Sequence, residues 1–235
     1  MKKFFSAIIP ARSGSKGIKN KNMIRVNNKP MIHWSIVEAL KSKYIKEILI
    51  TTNCSKVKKY CKKFSKIGRI SLISRPNSLS KDNTKMLPVV NHAKNYSKYK
   101  NDKDLSGYIL LQPTSPLRKK KDIDQACDLF NKTKPDSLVS VLKLKHIYNP
   151  ESLYFLKKNN LKKAFKIKNT FLKQNKKTYY VPNGAAIYIT SKNNIKKFIL
   201  GGNKIVGFQM PYERSIDVDN LEDLMLAKIL FQKNA

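Results

Sequence analysis

The chain of 235 residues predicts an α/β fold built on a mostly parallel sheet. Three observations carry that expectation. Short apolar, β-branched runs alternate with stretches of helix length, the pattern of β-α-β crossovers. The first apolar run breaks at Pro10 into a loop holding two glycines and several cations. Three later segments, Thr51-Thr52-Asn53, Arg75 and residues 112–118, also follow predicted strands, and ligands of such sheets collect outside the carboxyl ends of the strands.

Residues 4–10 read as the first strand. Residues 30–41 read as a helix, with Pro30 suited to the first turn, where a missing N–H is harmless. The apolar run 45–52 is the next strand, 55–64 a helical stretch and 69–74 a short strand. A helix over 84–99, a strand over 107–111, a helix over 121–131 and a strand over 137–142 continue the alternation. Residues 145–180 break it. This stretch is rich in Lys and Asn yet carries Tyr148, Tyr154, Phe155, Phe165, Phe171, Tyr179 and Tyr180. A protruding arm that buries these rings against a second subunit accounts for them better than a flexible insertion. Strands over 185–190 and 205–208 and a helix over 220–231 complete a single domain spanning 1–235.

The hydrophobic fraction of 41% is that of a soluble protein, and no run approaches the ~18 apolar residues of a membrane span. The apolar start runs straight into Arg12 and Lys16 without a cleavage-like segment, so it reads as a strand and the protein as cytoplasmic. A formal charge of +34 invites a nucleic-acid reading. The lysines, however, are spread over almost every segment rather than gathered on one face with stacking aromatics. Neither a specific nucleic-acid partner nor a membrane partner is expected. Only six arginines occur, at 12, 25, 69, 75, 118 and 214. Where lysine is the default cation, a retained arginine marks a place for a planar, bidentate guanidinium. Cys54, Cys61 and Cys127 form no C-x-x-C pair and read as buried packing residues in a reducing compartment.

The loop 7–22 reads Ala-Ile-Ile-Pro-Ala-Arg-Ser-Gly-Ser-Lys-Gly-Ile-Lys-Asn-Lys-Asn. Its small residues let backbone N–H groups turn inward, and Arg12, Lys16 and Lys21 can neutralise a polyphosphate. The spacing matches neither G-x-G-x-x-G nor G-x-x-x-x-G-K-[ST], which excludes the dinucleotide and P-loop readings. Gln112 can donate to and accept from sugar hydroxyls, Thr114 and Ser115 add hydroxyls, and Pro113 and Pro116 stiffen their backbone. Asp217 and Asp219, at i and i+2 of an extended segment, point to one side while Ile216 and Val218 pack the other. In a chain with fifteen acids such a pair offers a hard oxygen site for Mg²⁺. Asp219 also suits the N-cap of the last helix, a role compatible with metal binding.

Several segments, in this order, resemble the acylneuraminate cytidylyltransferase family, the CMP-sialic acid synthetases and relatives that activate nine-carbon 2-keto acids with CTP. They are the 7–22 loop, Arg75-Pro76 with Leu79-Ser80-Lys81-Asp82, and Met86-Leu87-Pro88-Val89-Val90. Leu111-Gln112-Pro113-Thr114-Ser115-Pro116-Leu117-Arg118, Pro182-Asn183-Gly184 before Ala185-Ala186-Ile187-Tyr188, and Arg214-Ser215-Ile216-Asp217-Val218-Asp219 follow. The resemblance spans nearly the whole chain. It implies a Rossmann-like nucleotidyltransferase sheet with a protruding dimerisation arm at 145–180, a homodimer and a Mg²⁺ cofactor. The implied reaction transfers CMP from CTP to the anomeric hydroxyl of a nonulosonic acid of sialic, legionaminic or pseudaminic type, releasing pyrophosphate.

By the same resemblance Arg12, Lys21 and Asn22 hold the triphosphate, and backbone groups of the loop from Ala11 to Ser15, Ser13 among them, meet the base or ribose. Arg75 and Ser80 fall where the family reads cytosine or its neighbourhood. Gln112, Thr114, Ser115 and Tyr188 face the sugar, and Asp217 and Asp219 hold the metal, completing a catalytic set with Arg12 and Lys21. Arg118 is an anchor for a carboxylate or a subunit contact. Lys173, beside Gln174, stands where relatives carry an arginine that reaches the sugar carboxylate, in some members from the neighbouring subunit. Lysine keeps the charge without the fork. Thr51-Thr52-Asn53 replaces Ser-Thr-Asp, and Val181 stands where an arginine is common. Two alternatives remain: activation of an eight-carbon acid as in CMP-Kdo synthetases, and a non-catalytic basic nucleotide- or RNA-binding module.

Overall fold

Residues 3–15, 17–64, 66–165, 177–195 and 201–233 are described by the structure, a computed structural model. The chain begins with β1 (Phe4–Pro10), a hairpin of β2 (Arg25–Val26) and β3 (Lys29–Pro30), α1 (Met31–Lys41), β4 (Ile45–Thr52), α2 (Ser55–Cys61) and β5 (Ile70–Ser74). There follow α3 (Met86–Asn95), β6 (Leu105–Leu110), α4 (Lys120–Thr133), β7 (Ser137–Lys143), β8 (Tyr154–Lys157) and β9 (Asn160–Lys163). The last elements are β10 (Tyr180–Pro182), β11 (Tyr188–Ser191), β12 (Ile205–Gln209) and α5 (Leu221–Lys233).

β1 is buried along its whole length because both faces of the sheet are covered. Phe5, Ala7 and Ile9 pack with residues of α1, α2 and α4, whereas Phe4 and Ile8 pack with Val90 and Ala93 of α3. β4 and β6 flank β1 in parallel, and β5 continues in parallel beyond β4. The strand order is β10-β7-β11-β6-β1-β4-β5, with β12 alongside β7. The chain builds outward from β1 to β5 and then crosses to β6 on the other side. That reversal leaves a crevice at the carboxyl ends of β1 and β6, the place where such sheets bind ligands.

A third apolar cluster lies behind this crevice. It joins Leu224, Ala227 and Phe231 of α5 to Val26, Met31, Ile18, Leu117, Ile216 and Val218. The loop after β1, the segment after β6 and the acidic segment before α5 therefore share one apolar support.

The parallel strands fall where expected. Three differences stand out. The strand expected over 185–190 begins only at Tyr188, because Gly184 (φ 69°) and Ala185 (φ 57°) adopt left-handed backbone that cannot pair, and it runs antiparallel to its neighbours. The helix expected from residue 84 starts at Met86. Within 145–180, residues 154–163 form the β8–β9 hairpin, after two short 3₁₀ turns. Phe155 (65%), Leu156 (69%) and Leu161 (67%) are exposed on it; Phe171 lies outside the described residues. The three cysteines are buried and free. Among the described residues no helix is long and apolar enough to cross a membrane.

Candidate active site

A cleft of about 320 Å³ opens beyond the carboxyl ends of β1, β5 and β6. Arg12, Lys21, Asn22, Arg75, Gln112, Thr114 and Asp219 all line it, together with Ser15, Gly17, Met86 and the prolines 10 and 113. The first loop is held from behind by the segment after β4. Asn53 Oδ1 accepts the Ser13 N–H at 2.9 Å, and the Thr52 hydroxyl donates to the Ala11 carbonyl. The Asn22 amide donates to the Arg12 carbonyl at 3.0 Å, tying the far end of the loop back to its start. Gly17 allows the loop to touch the acidic segment, since a Cβ there would stand 2.5 Å from the Asp219 carbonyl oxygen.

Among the described residues three cations face the cleft, and each is already engaged; Lys16 lies outside the described residues. Arg12 Nη1 lies 2.7 Å from Asp82 Oδ1 and donates to the Gly14 carbonyl at 2.9 Å. Lys21 Nζ lies 2.7 Å from Asp219 Oδ1. Arg75 is buried and donates to the Thr51 carbonyl at 2.7 Å and to the Thr51 hydroxyl at 3.3 Å. Burial, and then the charge of Arg12, pull the Arg75 pKa down to about 10, so it remains a cation at neutral pH. Two guanidiniums that repel across a cleft gain most when an anion comes between them.

Asp217 differs from Asp219. Its neighbours Ile216 and Val218 plug the apolar cluster, and the Val218 N–H donates to the Thr114 carbonyl at 2.8 Å. The Asp217 carboxyl is largely buried, and its Oδ1 has no hydrogen-bond partner. Burial is the main force lifting its pKa to about 6; Asp219 lifts it further, while Thr114 and Lys21 oppose. The Thr114 hydroxyl is close enough to act on the carboxyl, yet no hydrogen bond is formed to Thr114 Oγ1. Asp219 is not the helix cap. Asn220 Oδ1 accepts the Asp223 N–H at 2.8 Å, and Asp223 Oδ2 accepts the N–H groups of Asn220 and Asp219, a reciprocal capping box. Asp217 is not among the residues lining the cleft and its Oδ1 is enclosed, whereas Asp219 stands on the wall; two such carboxylates suit Mg²⁺, which takes one or two and leaves its other positions to water and phosphate. Among the described residues no group of three or more His, Cys, Asp or Glu is gathered for a metal.

Some expected residues stand elsewhere. Ala11 is wholly buried, with its N–H given to the Thr51 carbonyl at 3.0 Å, so it supports the loop and offers no donor to a base or ribose. Ser13 spends its N–H on Asn53 and does not reach the cleft wall. The Ser80 hydroxyl closes the turn after Arg75 by donating to the Pro76 carbonyl at 3.1 Å. Ser115 is buried behind the wall, and Tyr188 is half-buried in β11, where burial and the Asp217 charge raise its pKa. Lys173 and Gln174 lie outside the described residues.

Arg118 proves to be internal, a surface anchor of neither kind. It is 1% exposed and donates to the Ala186 carbonyl at 2.5 Å and the Ser35 hydroxyl at 2.6 Å. Asp82, Met86, Asn53 and Gly184 stand in segments that the sequence marks, but none of them was given a site role of its own. Asp82 carried a usable signal, as an acid within a motif of a chain poor in acids.

The sequence profile described as Cytidylyltransferase matches residues 6–233. The chain belongs to the cytidylyltransferase family. An N-acylneuraminate cytidylyltransferase of Escherichia coli O18:K1:H7 is 30% identical over 231 residues, 97% of this chain and 52% of that protein. A pseudaminic acid cytidylyltransferase of Campylobacter jejuni is 29% identical over 229 residues, 97% of this chain and 96% of that protein. The chain thus spans about half the length of the N-acylneuraminate relatives it matches and nearly all of the pseudaminic one. Among solved structures, a CMP:2-keto-3-deoxy-manno-octonic acid synthetase complexed with CTP superposes with a TM-score of 0.74 at 15% identity. That likeness covers 99% of this chain and 100% of the other, and it establishes the cytidylyltransferase-type fold.

Proposed function

We propose that this cytidylyltransferase transfers CMP from CTP to the anomeric hydroxyl of a nine-carbon 2-keto sugar acid. Pyrophosphate leaves, and the hydroxyl proton passes to solvent. The observation that carries the reading is the convergence of Arg12, Lys21 and Arg75 on one cleft that Gln112, Thr114 and Asp219 also line. Three cations match a triphosphate, and an amide with a hydroxyl matches a polyol. The printed activities of the N-acylneuraminate and pseudaminic relatives supply the substrate class. Activation of an eight-carbon acid is the second reading, favoured by the solved neighbour.

Phosphoryl-type transfer asks the protein mainly for alignment and charge neutralisation. In this reading Arg12 and Lys21 exchange their carboxylate partners for phosphate oxygens, while Asn22 keeps the loop closed around them. Arg75, fixed by Thr51, aims its remaining donors into the cleft beside Met86, whose thioether offers an apolar surface to the base. Gln112 and Thr114 orient the sugar hydroxyls. Mg²⁺ held by Asp217 and Asp219 would neutralise charge on the phosphates. The domain assignment of 1–235, a cytoplasmic setting and a homodimer through the 145–180 arm belong to the same proposal. The exposed apolar side chains of the β8–β9 hairpin support the last of these. Incubation with CTP, Mg²⁺ and a panel of sialic, legionaminic, pseudaminic and eight-carbon acids tests the assignment by pyrophosphate release. Release with a nine-carbon acid is expected; release only with the eight-carbon acid would replace it by the second reading.

A further inference from the structure

We propose that Gly184, locked in place by Asn183, is the positioning residue that sets where the Asp217 carboxylate stands. A Cβ built on Gly184 would lie 2.0 Å from Asp217 Oδ2, 2.1 Å from its Cγ and 2.4 Å from its Cβ. The entire Asp217 side chain, beyond its flexible tip, therefore occupies the space that any other residue at 184 would fill. The φ of +69° at Gly184 independently favours glycine. The two segments are also bolted together. The buried Asn183 side chain donates to the Ser215 hydroxyl at 2.9 Å and accepts from the Ser140 hydroxyl at 2.5 Å. Ser140 Oγ in turn accepts the Ile187 N–H at 2.9 Å, and the Ser215 hydroxyl donates to the Pro211 carbonyl at 2.8 Å.

This arrangement explains how a carboxylate can be aimed without a hydrogen bond to its own Oδ1, which has no partner. Packing against a bare Cα does the aiming, and no hydrogen-bond partner competes for Oδ1. The same turn reaches the other wall of the cleft, because the Ala185 carbonyl accepts the Gln112 N–H at 3.3 Å and the Ala186 carbonyl accepts from Arg118. The position of Asp217 is thereby referred to the segment assigned to the sugar. The inference rests on the reading of Asp217 as a metal ligand.

The test is a double-mutant cycle of Gly184→Ala and Asp217→Asn, read by Mn²⁺ binding in the presence of CTP, by turnover, and by CTP binding without metal. A displacement of about an ångström can cost about a hundredfold in rate, so Gly184→Ala is expected to lower turnover on that order and to weaken Mn²⁺ binding. Metal-free CTP binding should be unchanged. In the Asp217→Asn background the same change should add nothing further. Parental Mn²⁺ binding and turnover in Gly184→Ala, or costs that add in full across the cycle, would overturn the positioning role alone. Parental Mn²⁺ binding in Asp217→Asn would instead overturn the metal reading on which it rests. Should Gly184→Ala fail to fold, Gly184→Ala combined with Asp217→Gly empties the contested space and is expected to fold. Failure of both would place the demand for glycine on φ and refute the proposal.

Discussion

Lys21 and Asp219, 198 positions apart in the chain, meet at 2.7 Å on the lining of the cleft. The pair joins the first loop to the acidic segment, with the ammonium largely shielded and the carboxylate 70% exposed. Each group neutralises the other. In the proposed reading, phosphate arriving at Lys21 would free Asp219 for a cation, and a cation at Asp219 would free Lys21 for phosphate.

That exchange makes Asp219→Asn informative. The variant loses the charge assigned to the metal in the proposed function but no helix cap, because Asn220 and Asp223 form the capping box. Stability should hardly move, whereas the Mg²⁺ concentration needed for half-maximal rate should rise. Asn220→Ala should do the reverse, losing about 1 kcal/mol of stability with turnover intact. Thermal melts and Mg²⁺ titrations of the two variants separate the roles. A melting loss in Asp219→Asn comparable with that of Asn220→Ala would refute the division.

Asp217 predicts a pH signature. Its folded pKa of about 6 lies above the ordinary 3.8, so the folded state holds a proton that the unfolded chain has released between these values. The burden of the buried charge is therefore fully present above pH 6 and is relieved as pH falls from about 6 toward 3.8. Asp217→Asn should stabilise the metal-free protein at pH 7 by about 1–3 kcal/mol and flatten this segment of the stability profile. Metal binding at Asp217 needs the deprotonated form, so Mg²⁺ affinity should weaken below pH 6. Melts at pH 5 and 7 with and without Mg²⁺ measure both effects. Destabilisation of the metal-free protein by Asp217→Asn at pH 7 would contradict the assignment.

Arg118 illustrates what could be read from the sequence and what could not. Its rarity in a lysine-rich chain marked a position where a guanidinium matters, and that inference holds. Its use is internal: it hydrogen-bonds α1 and the 183–187 turn to the Gln112 segment, a geometry set by residues 83 and 68 positions away. The parallel core was legible because burial on both faces writes strands as continuous apolar runs, as in β1 and β4. The convergence of Arg12, Arg75 and Gln112 was legible because strand ends share one edge of a parallel sheet. The left-handed pair Gly184–Ala185 was not, since alanine carries no sign that its backbone will leave the β region. Nor was the burial of Ala11, whose N–H is claimed by β4 rather than by a ligand. Arg118→Ala should cost about 2–4 kcal/mol, through a cavity and orphaned acceptors, with a matching fall in melting temperature. Arg12→Ala should barely affect melting while abolishing CTP binding.

The β8–β9 hairpin supplies a prediction about assembly. Phe155, Leu156 and Leu161 stand exposed on a two-stranded unit that buries none of its own residues. Such apolar surface is costly unless covered. Replacing residues 154–163 by a short Gly-Ser turn should yield monomers in analytical ultracentrifugation that retain CTP binding, since the nucleotide cleft lies on other elements. A parental oligomer after this replacement would remove the arm from the interface.

The ion pair between Arg12 and Asp82 leads to the most discriminating experiment on the nucleotide side. Asp82 Oδ1 lies 2.7 Å from Arg12 Nη1, on the guanidinium that also lines the cleft. Both groups are partly exposed, at 30% and 40%, so the pair resembles a surface salt bridge worth about 0.2–1 kcal/mol. In the proposed reading a triphosphate displaces this carboxylate from Arg12, and binding is weakened by whatever the pair contributes. Asp82→Asn removes the competitor at nearly constant shape. CTP affinity measured without metal should rise by about 1.4- to 5-fold, the multiplicative equivalent of that energy. The gain should shrink at high salt, where exposed pairs are already screened. A loss of metal-free CTP affinity in Asp82→Asn would show that the carboxylate aims Arg12 at the phosphates, the opposite of competing with them.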